Sequence, residues 1–322
     1  MKVKLWLVVL VTLVLLTALL ASACRPPTPT PPATTPTIPA TPTTPTSPVI
    51  TPTPVTPKYG GTFTAATVAF PGIPIGWPPE ARGAVSVVAQ HSLETLLQQD
   101  ISGRFSGRLA TEWKVAPDLK SVTFKLRQGV KFHDGTDFNA QAVKWNYDLQ
   151  MPTGKASSMH WESIEVLDAL SVRVNLKQWT NYTLGDFSFE GGNFIISPTA
   201  YEKNGLEWVR WNMVGTGPFK QVSFVRDSEI VYEKFDGYWN KGKPYIDKLV
   251  VKRVVDPMTQ VAGIKSGELS GMSTGADKRL YDLLQEGFQA TIVSLGVGAY
   301  FPDSSNTNSP LANQKVREAL DY

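Results

Sequence analysis

Between residues 121 and 150 the apolar positions change period. Val122, Phe124 and Leu126 alternate with Thr123, Lys125 and Arg127, the period-two pattern of a half-buried strand. Asp134-Gly135 marks a turn, and Asn139 is placed to cap a helix running to about Gln150. That helix carries Val143, Trp145 and Tyr147, which need a partner surface. The same reading elsewhere predicts strands over Thr62–Val68, Leu109–Val115, Ser163–Asp168, Ser171–Leu176, Lys220–Val225 and Glu229–Lys234. A long alternating strand is expected over Ile246–Val255 and another strand over Gln289–Val297. Helices are expected over Ala84–Gln98, over Pro198–Val209 after Ser197, from Asp256 to Ser266 with Gly267 as the stop, and over Ala276–Gln285. Strands and helices mix without a strict βαβ rhythm, which favours an α/β architecture with mixed sheets and more than one lobe.

Both ends of the chain depart from this globular pattern. Lys2 and Lys4 precede an apolar run from Leu5 to Leu20, and Ala21-Ser22-Ala23 follows. This is a signal peptide over 1–23, cleaved before Cys24. Residues 24–57 are then almost entirely Pro, Thr, Ala and Ser, a composition that stays extended and unpacked. Such a tether reaches on the order of 100 Å. At the other end Val316, Ala319 and Leu320 share one helix face, with no stop signal after them. A fragment of a longer protein is expected.

Composition narrows the chemistry. The formal charge is +3, and removing Lys2 and Lys4 leaves 29 basic against 28 acidic residues. No basic stripe appears, so nucleic acid is not an expected partner. Cys24 is the sole cysteine, so no internal disulfide supports the fold. The three histidines, His91, His133 and His160, lack ligand spacing to one another, and no metal or cofactor is expected. His133 reads as a strand-end residue beside a turn. Gly215-Thr216-Gly217 is neither a nucleophile elbow nor a phosphate loop, and it reads as the entry to a hairpin. No catalytic residues are assigned.

The Pro- and Gly-rich loop Phe70–Arg82 still carries Phe70, Ile73, Ile75 and Trp77. An apolar loop is either buried or held against a ligand. Ile75 and Trp77 are therefore candidate ligand contacts, with packing of Trp77 onto the scaffold as the alternative. Trp211 and Trp239 are further candidates, again with core packing as the alternative.

Several segments, in order, resemble the family 5 extracellular solute-binding proteins of ABC importers, the peptide/nickel/oligopeptide type. They are Tyr59-Gly60-Gly61-Thr62, the run FKLRQGVKFHDG from Phe124 to Gly135, Val214–Phe219, YEKFDGYWNKGKPYID from Tyr232 to Asp247, and Gly267-Glu268-Leu269. Leu20–Cys24 is similar to a bacterial lipobox, with Ala21 where leucine is usual. The resemblance implies a two-lobed periplasmic-binding-protein-like α/β fold (type II, with an accessory subdomain) whose second lobe is incomplete in a solute-binding domain spanning 58–322. By analogy, lobe one comprises about 58–79 and 164–255, the accessory subdomain about 80–163, and the second lobe begins at 256. It further implies a non-enzymatic monomer outside the cytoplasm, in the periplasm or held at the membrane by a lipid on Cys24. Such a protein passes a small solute, a peptide by analogy, to an ABC permease. A surface sensor or adhesion lipoprotein on the same scaffold is the alternative, and a secreted hydrolase a third reading.

Overall fold

The structure, a computed structural model, describes residues 57–68, 70, 72–81, 84–100, 102–189, 192–273, 277–290, 312–313 and 315–316 of the 322-residue chain. In chain order the first elements are β1 (Thr62–Thr67), α1 (Ala84–Ala89), β2 (Leu97–Gln99), β3 (Phe105–Gly107), β4 (Ala110–Val115) and β5 (Ser121–Leu126). Next come α2 (Ala140–Gln150), β6 (Trp161–Asp168), β7 (Ser171–Leu176), α3 (Pro198–Asn204) and α4 (Leu206–Val209). The last are β8 (Phe219–Val225), β9 (Glu229–Lys234), β10 (Lys248–Arg253), α5 (Pro257–Ser266), β11 (Gly271–Met272) and α6 (Lys278–Gln285).

Two main sheets organise these elements. The first has strand order β11-β1-β10-β9-β8. In it β1 runs parallel to both β10 and β11, while β9 runs antiparallel to β10 and β8. Four strands therefore point the same way. The second sheet, β4-β5-β7-β6, is antiparallel throughout. Each sheet has its own apolar core. Val122, Phe124, Val172, Val174, Trp161 and Phe187 fill one, with the Trp161 and Phe187 rings stacked 5.2 Å apart. Ile75, Leu93, Ile196, Ile230, Tyr232 and Leu249 belong to the other.

Helix α2 joins the two cores. Asn139 caps it by accepting from the Ala142 amide at 3.0 Å. Its Val143 and Tyr147 lie in the core of the second sheet, whereas Trp145 and Leu149 pack against the other core. Buried Asn146 donates to the Ile196 carbonyl and accepts from the Ile196 amide, at 2.9 and 3.0 Å. A side-chain amide thus stands in for a strand partner and locks the helix to the chain entering α3.

Several expected boundaries are corrected. The helix expected over Ala84–Gln98 stops at Ala89, and the chain turns into β2. Leu93 packs in one core and Leu96 and Leu97 in the other, so the chain crosses between two sheets instead of laying one helical stripe on a single core. The Pro198–Val209 helix is split at Gly205, whose φ of 79° and ψ of 171° lie outside the helical region. The long alternating strand is the shorter β10, with Leu249, Val250 and Val251 all buried. A strand flanked by β1 and β9 and covered on both faces shows a continuous apolar run. Ser197, Asp256 and Gly267 act as expected: the first two cap helices, and the third ends α5 in the left-handed region. The strand expected over 289–297 begins at two residues without regular structure and otherwise lies outside the described residues, as do Ala319 and Leu320 of the last helix.

Pairing also joins strands distant in sequence. β6, which spans residues 163 and 164, pairs with β7 and so shares a sheet with β4 and β5. β11, beyond Asp256, pairs with β1 in the first sheet.

One close approach gives a direct test. A Cβ on Gly215 would sit 2.3 Å from the Ser92 carbonyl oxygen and 2.7 Å from a Leu93 methyl. Gly215→Ala is expected to cost about 1–3 kcal/mol through overpacking, measured by chemical denaturation. Gly72→Ala, where nothing lies within 4 Å, is expected to stay within about 0.5 kcal/mol. Equal effects would contradict the packing.

Candidate functional site

The parallel strands of the first sheet bring their carboxyl ends to one edge. Backbone hydrogen bonds hold it together: Val254 donates to the Thr67 carbonyl at 3.0 Å and Arg253 to the Ser228 carbonyl at 2.7 Å. Open α/β sheets bind ligands beyond the carboxyl ends of their strands, where connections diverge. Here β10 continues through α5 to β11, on the far side of β1.

This edge carries an aromatic ladder. Phe70, just after β1, stacks on Phe224 near the end of β8, with centroids 6.0 Å apart. Phe224 stacks on Trp211 at 5.8 Å and 12°. The Arg226 guanidinium lies 4.5 Å from the Trp211 ring. Val68, Val225 and Val255 are exposed around it. Asp256, at the start of α5, accepts from the Thr259 hydroxyl and amide at 2.6 and 2.7 Å. Those bonds, the hydroxyl first, hold its pKa below the ordinary aspartate value.

The four candidate aromatic and aliphatic contacts separate. Ile75 is fully buried and Trp77 is 7 % exposed. Trp77 stacks on Tyr201 at 5.2 Å and meets Trp145 edge-on at 6.3 Å. The loop around them is tied down as well. Gly76 donates to the Arg210 carbonyl at 3.0 Å, Arg210 pairs with Glu80 at 2.9 Å, and buried Lys155 donates to the Pro78 carbonyl. An irregular loop lacks ladder hydrogen bonds, so burial of its apolar residues and these contacts hold it in place. Trp239 is partly buried against the second sheet's core. Of the four, Trp211 lies on the carboxyl edge. Cys24 lies outside the described residues.

Trp239 belongs instead to a buried hub that local pattern does not reveal. Glu94 has 0 % exposure, and its two oxygens accept four bonds. Arg108 Nε and the Tyr238 hydroxyl donate to Oε1, both at 2.9 Å. The Thr216 hydroxyl and Trp239 Nε1 donate to Oε2, at 2.9 and 2.8 Å. The Arg127 guanidinium covers the Trp239 ring at 4.1 Å. The hub therefore clamps the β3–β4 turn to the segment before β8 and the segment after β9.

His133 has a similar joining role. Its Nε2 is 2.9 Å from the Gly217 carbonyl, and the Gly215 amide faces Nδ1 at 3.4 Å. A neutral ring protonated on Nε2 satisfies both contacts. Burial pushes its pKa down to about 4, although the Gly217 contact acts the other way. Thr216, read as a hairpin-entry residue, is fully buried. The residues missed by sequence reasoning are Phe224, Arg226 and Glu94. The first two stand on and just after an ordinary-looking strand, and Glu94 lies in what reads as a helix.

The parallel strand ends, lined with aromatics, stand on a mixed-sheet scaffold. The model for bacterial extracellular solute-binding proteins, family 5, middle region, matches residues 104–322. The chain belongs to this family, and its fold is that of a periplasmic binding protein. It is 31% identical over 252 residues to the glutathione-binding protein GsiB of Shigella flexneri, covering 76% of this chain and 49% of the relative. The chain thus spans about half the length of the curated relatives it matches. Among solved structures, the periplasmic binding protein DppA of Helicobacter pylori, in complex with the peptide STSA, superposes with a TM-score of 0.63 at 25% identity. That match covers 71% of this chain and 49% of DppA. An ABC transporter substrate-binding protein of Sinorhizobium meliloti gives 0.62 at 29% identity, covering 71% and 48%.

Proposed function

We propose that the protein captures a peptide-like solute against the carboxyl edge of its first sheet and delivers it to the permease of an ABC importer. The observation that carries this reading is the ladder Phe70–Phe224–Trp211 at that edge, in a chain of the family 5 solute-binding proteins. Stacked rings offer a flat apolar wall that excludes water from one side of a ligand. The names of GsiB and of the DppA complex, a glutathione binder and a peptide complex, support a peptide-like solute. The first sheet with α5 forms lobe one, and the antiparallel sheet with α2 forms the accessory subdomain. The protein acts as a monomer with no covalent chemistry. A lipid on Cys24 holds it at the membrane, and the Pro/Thr-rich segment 25–57 carries the binding domain away from the surface.

Thermal shift on the complete gene product tests the reading, using glutathione, di- to tetrapeptides and nickel chelates. A binder present at 100 times its Kd stabilises the fold by about 2.7 kcal/mol, visible as a raised Tm. Absence of a shift with every class overturns the proposal. For the anchor, Cys24→Ser is expected to release the protein into the medium or periplasm, and mass spectrometry of the wild-type N-terminus is expected to show acylated Cys24. An unmodified cysteine would remove the lipid from the account.

A further inference from the structure

Among the described residues, four buried side-chain atoms have no hydrogen-bond partner in the chain: Tyr147 Oη, Gln150 Nε2, Trp161 Nε1 and Asn193 Oδ1. They are not scattered over the two cores. Tyr147 and Gln150 stand one turn apart on α2, and the Tyr147 ring lies 4.7 Å from that of Trp161, at the start of β6. Both rings contact Phe187 in the short helical turn Gly185–Phe187, at 6.0 and 5.2 Å. Asn193 reaches the same turn by donating to the Asp186 carbonyl at 2.9 Å, and it donates to the Ser157 carbonyl at 3.2 Å. The Ser158 hydroxyl, next in the chain, donates to the Gln150 carbonyl at 2.9 Å. The end of α2, the loop ahead of β6, the turn and the segment at Asn193 therefore meet in one place.

Neighbouring bonds fix which atom each amide leaves unpaired. Gln150 Oε1 accepts from Lys155 Nζ at 3.3 Å, so Nε2 is the remaining donor. Asn193 Nδ2 serves two carbonyls, so Oδ1 is the remaining acceptor. Trp161 Nε1 can only donate, and the Tyr147 hydroxyl can do either. Buried Asp186 stands beside them, and its carboxyl group takes no hydrogen bond from the described residues. That carboxyl disfavours an anion here, and the N–H donors disfavour a metal ion. A mixed set of donors and acceptors suits a neutral occupant that both donates and accepts. Native proteins pair such buried groups with ordered water, because leaving them unpaired is costly.

We infer that the end of α2, the start of β6 and the segment 185–193 enclose a site for ordered water, which bridges Tyr147, Gln150, Trp161 and Asn193 and so fastens helix, strand and turn together. At about three hydrogen bonds per buried water, these groups call for about two molecules. The site does not depend on which solute the protein carries.

A high-resolution crystal structure of the complete gene product tests this directly. Density is expected for water within hydrogen-bond distance of two or more of the four atoms. Water bonded to fewer, or direct pairing of these atoms with one another or with Asp186, overturns the inference. Tyr147→Phe gives a second readout through the sign of its effect. A water-bonded hydroxyl stabilises the fold, so its loss is expected to lower Tm by about 2–5 °C. A buried hydroxyl without a partner is a burden that phenylalanine removes. An unchanged or raised Tm would therefore overturn the inference as well. Crystallography of the wild-type protein needs no variant to fold.

Discussion

Glu94→Ala is expected to destabilise the protein by about 3–5 kcal/mol, the range for breaking a buried ion pair from one side. Four donors converge on this carboxylate, and alanine leaves each without its acceptor. Arg108, whose side chain is 20 % exposed, would keep its charge with little water to stabilise it. Glu94→Gln should cost less. One amide oxygen can still serve Arg108 and Tyr238, and the Thr216 hydroxyl can rotate to accept from the new amide. Trp239 Nε1 can only donate, so that position stays frustrated. Urea denaturation checks the order alanine, then glutamine, then wild type. A loss below about 1 kcal/mol for alanine would show that the hub does not hold these segments together.

The second large effect is on pH dependence. Burial lowers His91, helped by nearby Arg108, to about 4 from 6.5, and burial, first among several influences, lowers His133 to about 4. Burial raises Asp186 from 3.8 to about 8. Between pH 4 and 6.5 the unfolded chain binds two more protons at the histidines, and the folded chain binds one more at Asp186. The net excess of one proton in the unfolded state makes stability rise with pH there, by about 1.4 kcal/mol per unit. Across that window the gain is about 3 kcal/mol. Between pH 6.5 and 8 only Asp186 differs, the folded state holds the extra proton, and stability falls again. Unfolding free energy should therefore peak near pH 6.5. Asp186→Asn is expected to remove the alkaline decline, and His133→Gln to flatten the acid limb. A profile level from pH 5 to 8 in the wild-type protein would refute the burial of these groups.

The parts of the fold that sequence reading found are those governed by neighbours within a few residues. Asn139, Ser197 and Asp256 cap helices because each side chain reaches the amide three residues ahead. The alternation in β5 and the hairpins β6–β7 and β8–β9 follow from period-two burial and short turns. The candidate site was less legible. Trp77 and Trp211 look alike in the sequence, each an aromatic residue in or near an irregular segment. Trp77 meets Tyr201 and Trp145 and is buried, while Trp211 meets Phe224 and Arg226 at an open edge. The premature end of α1 was hidden because Leu93, Leu96 and Leu97 fit a helical stripe until partners on two cores are known.

By itself the sequence determined the family, the mixed α/β class, the caps and most strands, since these depend on local periodicity and on ordered motifs such as Phe124–Gly135. The tertiary structure decided which strands are neighbours, and with that the position of the carboxyl edge. It also decided that Glu94 is a clamp and that Arg226 stacks on Trp211 at the open edge. Both depend on residues brought together from more than 100 positions away, such as Glu94 with Trp239, or from separate elements, such as Arg226 with Trp211 and Phe70 with Phe224. The pairing energy of such contacts is fixed by burial and geometry after folding, and no local pattern encodes it.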